Sequence, residues 1–241
     1  MLTYIKDVWA GYGRSVPYFS VLTCDKYRSD TITAQGIEEF YSSGSSDVDF
    51  FERVLQRNGL STNKSWKILD LCCGVGRLGP CFSERYSSYI GVDISETHLD
   101  VARDRFKREN INNAELTRLM DFLHAPREFD ILYSILVLQH NPPPVMYWLL
   151  DSFLSNLNPD GYAFFQVPCY LDNYDFDAGA YLAGDGRLNS MEMHALPQNY
   201  VFRLLAKHGM TPIELLPNPR IGPIGFSFSF LAGKASRPQP V

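Results

Sequence analysis

The stretch Lys67-Ile68-Leu69-Asp70-Leu71-Cys72-Cys73-Gly74-Val75-Gly76-Arg77-Leu78-Gly79 joins an apolar run to a glycine-rich turn. Ile68 to Leu71 is a short apolar run of strand length, ended by an acid. Glycines at 74, 76 and 79 follow at once. Glycine lets a backbone approach a ligand closely, and a loop of this kind presents amides at a helix N-terminus. The next residues predict a helix through about Tyr86. Strand, glycine turn and helix in that order make the first half of a βαβ unit.

The same rhythm continues outward. Tyr89 to Val92 reads as a second strand, after which Ser95 caps a helix with Leu99, Ala102 and Phe106 on its inner face. Ala114 to Met120 is a third strand and Phe129 to Leu138 a fourth. Pro142-Pro143-Pro144 opens a helix bearing Val145, Trp148, Leu149 and Phe153, since proline is tolerated in a first turn. Asn158-Pro159-Asp160-Gly161 is a turn and Tyr162 to Val167 a fifth strand. A helix with Val201, Leu204 and Leu205 ends at His208-Gly209. Thr211 to Leu216 and Phe226 to Leu231 then finish as an antiparallel hairpin. The expected fold is α/β and Rossmann-like: a seven-stranded, mainly parallel sheet with helices on both faces and an antiparallel last strand. Ligands of such sheets sit beyond the carboxyl ends of the strands.

Two segments lie outside this rhythm. Residues 1–60 read as an N-terminal helical or irregular cover, with the first 45 aromatic and irregular. In the helix that follows, Ser46 or Asp49 is the cap, Val48, Phe51, Val54 and Leu55 the inner face, and Asn58-Gly59 the stop. Residues 61–241 form the main domain, interrupted after strand five by a lid insertion at 168–196, rich in Tyr, Asp and Gly. A long loop in a compact domain is commonly functional.

Composition narrows the partners. The 241 residues carry 22 Lys and Arg against 27 Asp and Glu, a net charge of −5. That leaves no basic footprint for nucleic acid or an anionic membrane. The five cysteines, Cys24, Cys72, Cys73, Cys81 and Cys169, contain no C-x-x-C pair, so they read as reduced residues of a cytoplasmic protein. The expected partner is a small-molecule substrate, with no nucleic acid and no membrane. A homodimer stays open.

Gly74, Gly76 and Gly79 spell G-x-G-x-x-G, and Asp93 stands 19 positions after Gly74 at the end of the second strand. A carboxylate there accepts hydrogen bonds from a ribose diol. One reading is an NAD-dependent dehydrogenase. Against it, about 65 residues precede the first strand, and none of the 14 tyrosines has a lysine four positions on. The other reading follows from a resemblance. Ile68 to Leu78 resembles the first motif of class I S-adenosylmethionine-dependent methyltransferases. Gly91-Val92-Asp93-Ile94-Ser95 resembles their second-strand motif and Met120-Asp121-Phe122 the one after the third strand. Phe129 to Ser134, on through Leu138-Gln139-His140, resembles the fourth-strand motif, and Leu157 to Tyr162 the turn before strand five. The chain departs from the pattern at Cys72 and Asp160, where glycine is usual.

The resemblance implies S-adenosylmethionine as cofactor and S-adenosylhomocysteine as product; no metal is expected, because no cluster of acids at fixed spacing stands around strand four. It places Asp70 at the methionine end of the cofactor, Asp93 at the ribose, Asp121 at the adenine amine and Phe122 against the ring. Cys72, Cys73, Gly74, Gly76, Arg77, Ile94, Ser134 and Gln139 complete the cofactor set. Asp121 as a plain surface acid is the alternative.

The late Met193-His194-Ala195-Leu196-Pro197 stretch resembles bacterial methyltransferases of sugars and other small metabolites. A hydroxyl acceptor needs a base, most easily a histidine near pH 7. His140, after strand four, and His194, closing the insertion, are the candidates. His124 falls near the adenine end. His98 and His208 read as surface or cap residues. Tyr170, Tyr174 and Tyr181 are the expected substrate contacts. The competing classes are an N-, protein or RNA methyltransferase and a non-catalytic cofactor-binding module.

Overall fold

A computed structural model describes residues 1–184 and 191–235. In chain order they form α1 (Leu2–Ser15), α2 (Pro17–Val21), α3 (Ala34–Ser42), α4 (Gly44–Arg57), β1 (Lys67–Leu71), α5 (Gly79–Arg85), β2 (Ser88–Asp93), α6 (Glu96–Arg108), β3 (Ala114–Arg118), α7 (Leu119–His124), β4 (Phe129–Ser134), α8 (Pro143–Leu154), β5 (Leu157–Leu171), α9 (Ala178–Ala183), α10 (Gln198–Lys207), β6 (Met210–Pro217) and β7 (Gly225–Lys234). The seven strands make a mixed sheet. The chain divides into two units, Lys6–Pro126 and Met1–Ile5 with Arg127–Val241. No helix among the described residues is long and apolar enough to cross a membrane.

The unit Lys6–Pro126 holds strands in the order β3-β2-β1, all parallel, with Asp70 level with Gly91 and Gly91 with Leu116. Ser95 caps α6 by accepting from the His98 amide, and Leu99, Ala102 and Phe106 are buried, as their spacing predicts. Two expectations are corrected. The first 45 residues are largely helical, because Thr33 caps α3 through the Gly36 amide and α4 follows directly. That makes Ser43, not Ser46 or Asp49, the residue before α4; its hydroxyl turns back to the Phe40 carbonyl. The stop at Asn58-Gly59 stands, with Gly59 at φ +69°. The third strand ends at Arg118 rather than Met120. Leu119 and Phe122, three apart, turn inward together on α7.

The unit of Arg127–Val241 with Met1–Ile5 holds the order β4-β5-β7-β6. β4 and β5 are parallel, while β7 is antiparallel to both neighbours. Its core stacks Phe165 on Phe230 at 5.5 Å between ring centroids, with Phe153, Phe164 and Leu204 fully enclosed. Fully burying one such side chain contributes about 1.5–3 kcal/mol. The fourth strand stops at Ser134, and a 3-10 turn, Leu138–His140, follows. β5 is 15 residues long and takes in both ends of its expected surroundings. Asp160 sits at φ 63° in the expected turn, and the register with β4 shifts there. At the far end, β7 supplies ladder partners as far as Leu171, so the first four residues of the predicted lid, Pro168 to Leu171, belong to the strand.

Candidate functional site

The glycine loop of Lys6–Pro126 is a cradle of amides over two buried acids. Gly74 and Gly76 stand at φ +57° and +72°. A Cβ on Gly74 would lie 2.6 Å from Val21, and one on Gly76 would lie 2.8 Å from the Phe106 ring. Cys72 shares this left-handed region at φ 58°. An L side chain there is strained, which explains glycine as the usual choice.

Asp70 closes β1, 5% exposed, and accepts the Tyr89 hydroxyl at 2.9 Å. Burial raises its pKa to about 7, against the lowering effect of that bond. Asp93 closes β2. Its two oxygens accept from the Gly74 and Ser95 amides, both at 2.8 Å. Burial raises its pKa as well. Asp93 therefore ties the loop to the start of α6. Ile94 is half-buried beside it. Cys73 is buried, with its amide on the Val92 carbonyl at 3.0 Å.

Other sequence-predicted cofactor residues are placed differently. The Arg77 guanidinium turns to α4, where it meets Asp47 Oδ2 at 2.5 Å and Ser43 Oγ at 3.2 Å. Asp121 makes an exposed ion pair with Arg118 at 2.6 Å. Phe122 is wholly enclosed in the core, so its ring has no face to offer; Met120 is the exposed apolar neighbour, at 44%. His98 is neither a surface nor a cap side chain. It is 1% exposed, with Nε2 on Ser20 Oγ and Nδ1 on Ser95 Oγ, each at 2.7 Å. Burial lowers its pKa. This pins α2 to the β2–α6 turn. Tyr41 of α3 adds a bond from its hydroxyl to the Val75 carbonyl at 3.0 Å. The N-terminal helices α2 and α3 thus pack on the glycine loop.

The second cluster lies in the other unit and gathers both candidate histidines. Beyond β4, Leu136 stands at φ 64°, a genuine outlier for a bulky residue. Its amide is held by Gln166 Oε1 at 2.9 Å. The buried Gln166 Nε2 donates to Gln139 Oε1 at 3.0 Å and to Ser227 Oγ at 2.5 Å. Gln139, assigned to the cofactor from the sequence, is thus engaged in a side-chain network. Ser134 is buried at the end of β4.

His140 Nδ1 donates to the Glu192 carbonyl at 2.8 Å, since a carbonyl can only accept. Its Nε2 faces the Gln139 side-chain amide at 3.2 Å. Burial lowers the His140 pKa. His194 is anchored by its own amide on the Gln139 carbonyl at 2.7 Å. Its Nε2 lies 2.9 Å from Glu192 Oε2 and its Nδ1 2.8 Å from the Tyr174 hydroxyl. Burial pushes the Tyr174 phenol up to about 12. The rings of Tyr174, Phe176 and Tyr181 meet the imidazole edge-on at 5.9, 5.7 and 6.0 Å.

Of the predicted substrate tyrosines, Tyr174 and Tyr181 join this cluster. Tyr170 does not. Beyond the register shift between Pro168 and Tyr170 on β5, it lies outward beside Phe226, 52% exposed. Asp177 caps α9 through the Ala180 amide. Asp185 and Arg187 of the insertion lie outside the described residues. Sequence reasoning missed Glu192 and Tyr4. The only local signal was an acid between two methionines in Met191-Glu192-Met193-His194, two residues before a candidate base. Among the described residues, no group of three or more His, Cys, Asp or Glu could hold a metal ion.

Residues 68–161 match the family described as "Methyltransferase domain". The ubiquinone biosynthesis O-methyltransferase of Actinobacillus pleuropneumoniae serotype 7 is 30% identical over 108 residues, covering 42% of this chain and 45% of that one. The chain thus matches less than half the length of such relatives. Magnesium protoporphyrin IX methyltransferase from Synechocystis PCC 6803, solved with bound SAH, superposes with a TM-score of 0.60 at 16% identity, covering 91% of this chain and 97% of that one. An S-adenosylmethionine-dependent methyltransferase from Clostridium acetobutylicum superposes at 0.57 and 14% identity, covering 78% and 90%. The fold is that of class I S-adenosylmethionine-dependent methyltransferases, and residues 68–161 of the chain are similar to a methyltransferase domain.

Proposed function

We propose that the protein methylates a hydroxyl of a small molecule, a sugar or related metabolite, using S-adenosylmethionine. The observation that carries this reading is the pairing of His194 with the buried Glu192 among three aromatic rings, in a chain that also holds the glycine cradle. The relatives that are 28% and 30% identical over 103 and 108 residues are named O-methyltransferases, which supports an oxygen acceptor. The net charge of −5 speaks against a nucleic-acid substrate.

The cradle fits the cofactor. Left-handed Gly74 and Gly76 keep side chains off the amides of the loop, and Asp70 and Asp93 supply carboxylates at the ends of β1 and β2. Asp70 suits an ammonium group, whose charge would favour the carboxylate that burial disfavours. Asp93 suits a diol. When bound, S-adenosylmethionine supplies a methyl on a sulfonium, which an oxygen nucleophile displaces in line. The protein's own contribution is alignment and proton removal.

His194 is the base in this reading. Its Nδ1 takes the hydroxyl proton by way of the Tyr174 hydroxyl that donates to it, and the charge that forms lies against Glu192. His140, kept neutral by burial and fixed by the Glu192 carbonyl, is the second candidate and borders the same residue.

Calorimetry with S-adenosylmethionine and S-adenosylhomocysteine, followed by turnover on a panel of sugars and phenols, tests the proposal. His194→Ala is expected to lower kcat about a hundredfold or more with cofactor affinity kept. Near-normal turnover in both His140→Ala and His194→Ala removes the histidine base. Failure to bind either nucleoside removes the methyl-transfer reading itself.

A further inference from the structure

A carboxylate as buried as Glu192, at 8% exposure, is costly unless its oxygens are hydrogen-bonded. They are, and by widely separated parts of the chain. The Tyr4 hydroxyl, 188 residues away on α1, donates to Oε1 at 3.2 Å. The Tyr181 hydroxyl of α9 donates to Oε2 at 2.9 Å, and His194 Nε2 meets the same oxygen at 2.9 Å. The Tyr4 and Tyr181 rings meet edge-on at 6.2 Å.

The direction of each bond follows from the chemistry of the partners. A carboxylate only accepts, so His194 carries its proton on Nε2. Nδ1 is then an acceptor, and the Tyr174 hydroxyl donates to it. The Ala195 amide faces the Tyr174 oxygen, which leaves the phenol proton directed at Nδ1. His140 is held the other way round, with its proton on Nδ1 toward the Glu192 carbonyl. One residue thus sets opposite tautomers in two histidines, by its side chain in one and by its backbone in the other.

We infer that Glu192 is the positioning residue of the base: its carboxylate fixes His194 with Nδ1 as the proton-accepting atom, and Tyr4 and Tyr181 clamp that carboxylate in place. This rests on the reading of His194 as base. As the O–CH3 bond forms and the S–CH3 bond breaks, the bonding pair stays on sulfur. The acceptor's hydroxyl proton passes to the Tyr174 oxygen as the Tyr174 proton moves to His194 Nδ1, and the resulting imidazolium is balanced by Glu192 before the proton is lost to solvent. The tie to Tyr4 makes the start of the chain part of the acceptor machinery.

Two measurements on the full chain test this. Imidazole nitrogen NMR, with histidines assigned by single replacement, is expected to show His194 as the Nε2–H tautomer and His140 as the Nδ1–H tautomer. His194 protonated on Nδ1 instead overturns the inference. In turnover, Glu192→Gln is expected to lower kcat about a hundredfold with the KM for cofactor unchanged, and Glu192→Asp to restore part of it. Tyr4→Phe and Tyr181→Phe, which keep the rings, should each lower kcat about fivefold by loosening one bond. A kcat within about twofold of wild type in Glu192→Gln also overturns the inference. If the wild type methylates no hydroxyl at all, the proposed function fails, while the tautomers still decide whether Glu192 positions His194.

Discussion

Cys72 is the residue at which local strain and sequence pattern meet. It occupies a left-handed conformation, φ 58°, that alanine tolerates no better and glycine adopts freely. In ordinary strand or helix, Ala is more stable than Gly. Here the order should reverse, with Cys72→Gly more stable than Cys72→Ala by about 1 kcal/mol in chemical denaturation; an Ala variant at least as stable contradicts the assigned conformation. Asp70 makes a second residue-scale prediction. Burial raises its pKa from 3.8 to about 7 in the folded state. The folded state therefore holds this proton more tightly than the unfolded one. The cost of ionising Asp70 is absent below pH 3.8 and grows as pH rises, reaching its full value above about 7. Relative to Asp70→Asn, the wild type should lose roughly 2–4 kcal/mol of stability across that window. Parallel stability curves for the two proteins would contradict the raised pKa.

At the scale of elements, the turn from β1 into α5 is shaped by α6. A Cβ on Gly79 would stand 2.1 Å from Cζ of Phe106, a ring only 4% exposed. That contact is with a rigid ring, so Gly79→Ala should destabilise by about 1–3 kcal/mol. Adding Phe106→Leu to Gly79→Ala should recover part of the loss, and a double-mutant cycle with additive free energies would show that the two do not meet. The same packing explains why helices before β1 belong with the loop. Ser20 on α2 and Tyr41 on α3 reach His98 and the Val75 carbonyl. Sequence periodicity finds the inner face of α6, but not that a serine far upstream satisfies the histidine on it. His98 therefore read as a surface or cap residue until its partners were in place.

For the molecule as a whole, ligand linkage gives the simplest measurement. If S-adenosylmethionine binds the folded chain alone, a concentration a hundred times its Kd adds about 2.7 kcal/mol. For a chain of this size that should raise Tm by about 5–10 °C. An unchanged Tm at saturating cofactor would argue against the cradle as a binding site. Much of the fold and half of the candidate site were legible in the sequence. Asp70, Gly74, Gly76 and Asp93 lie within one βαβ unit, where chain order and local spacing already bring strand ends and loop together. The strand alternation and the antiparallel finish were legible for the same reason. The contacts of Glu192 were not, because they come from Tyr4, Tyr181 and His140, which no local pattern connects to it.

The βαβ order, the glycine loop with its two acids, and His140 and His194 are all legible along the chain. These depend on hydrophobic period and on residues near one another in the chain. Which way each side chain turns depends on packing between distant segments. That packing turned Arg77 toward Asp47, sealed Phe122 in the core, carried β5 to Leu171 with Tyr170 outward, and set Glu192 between Tyr4, Tyr181 and His194. Such choices follow from the need to satisfy every buried polar group with partners drawn from distant parts of the chain.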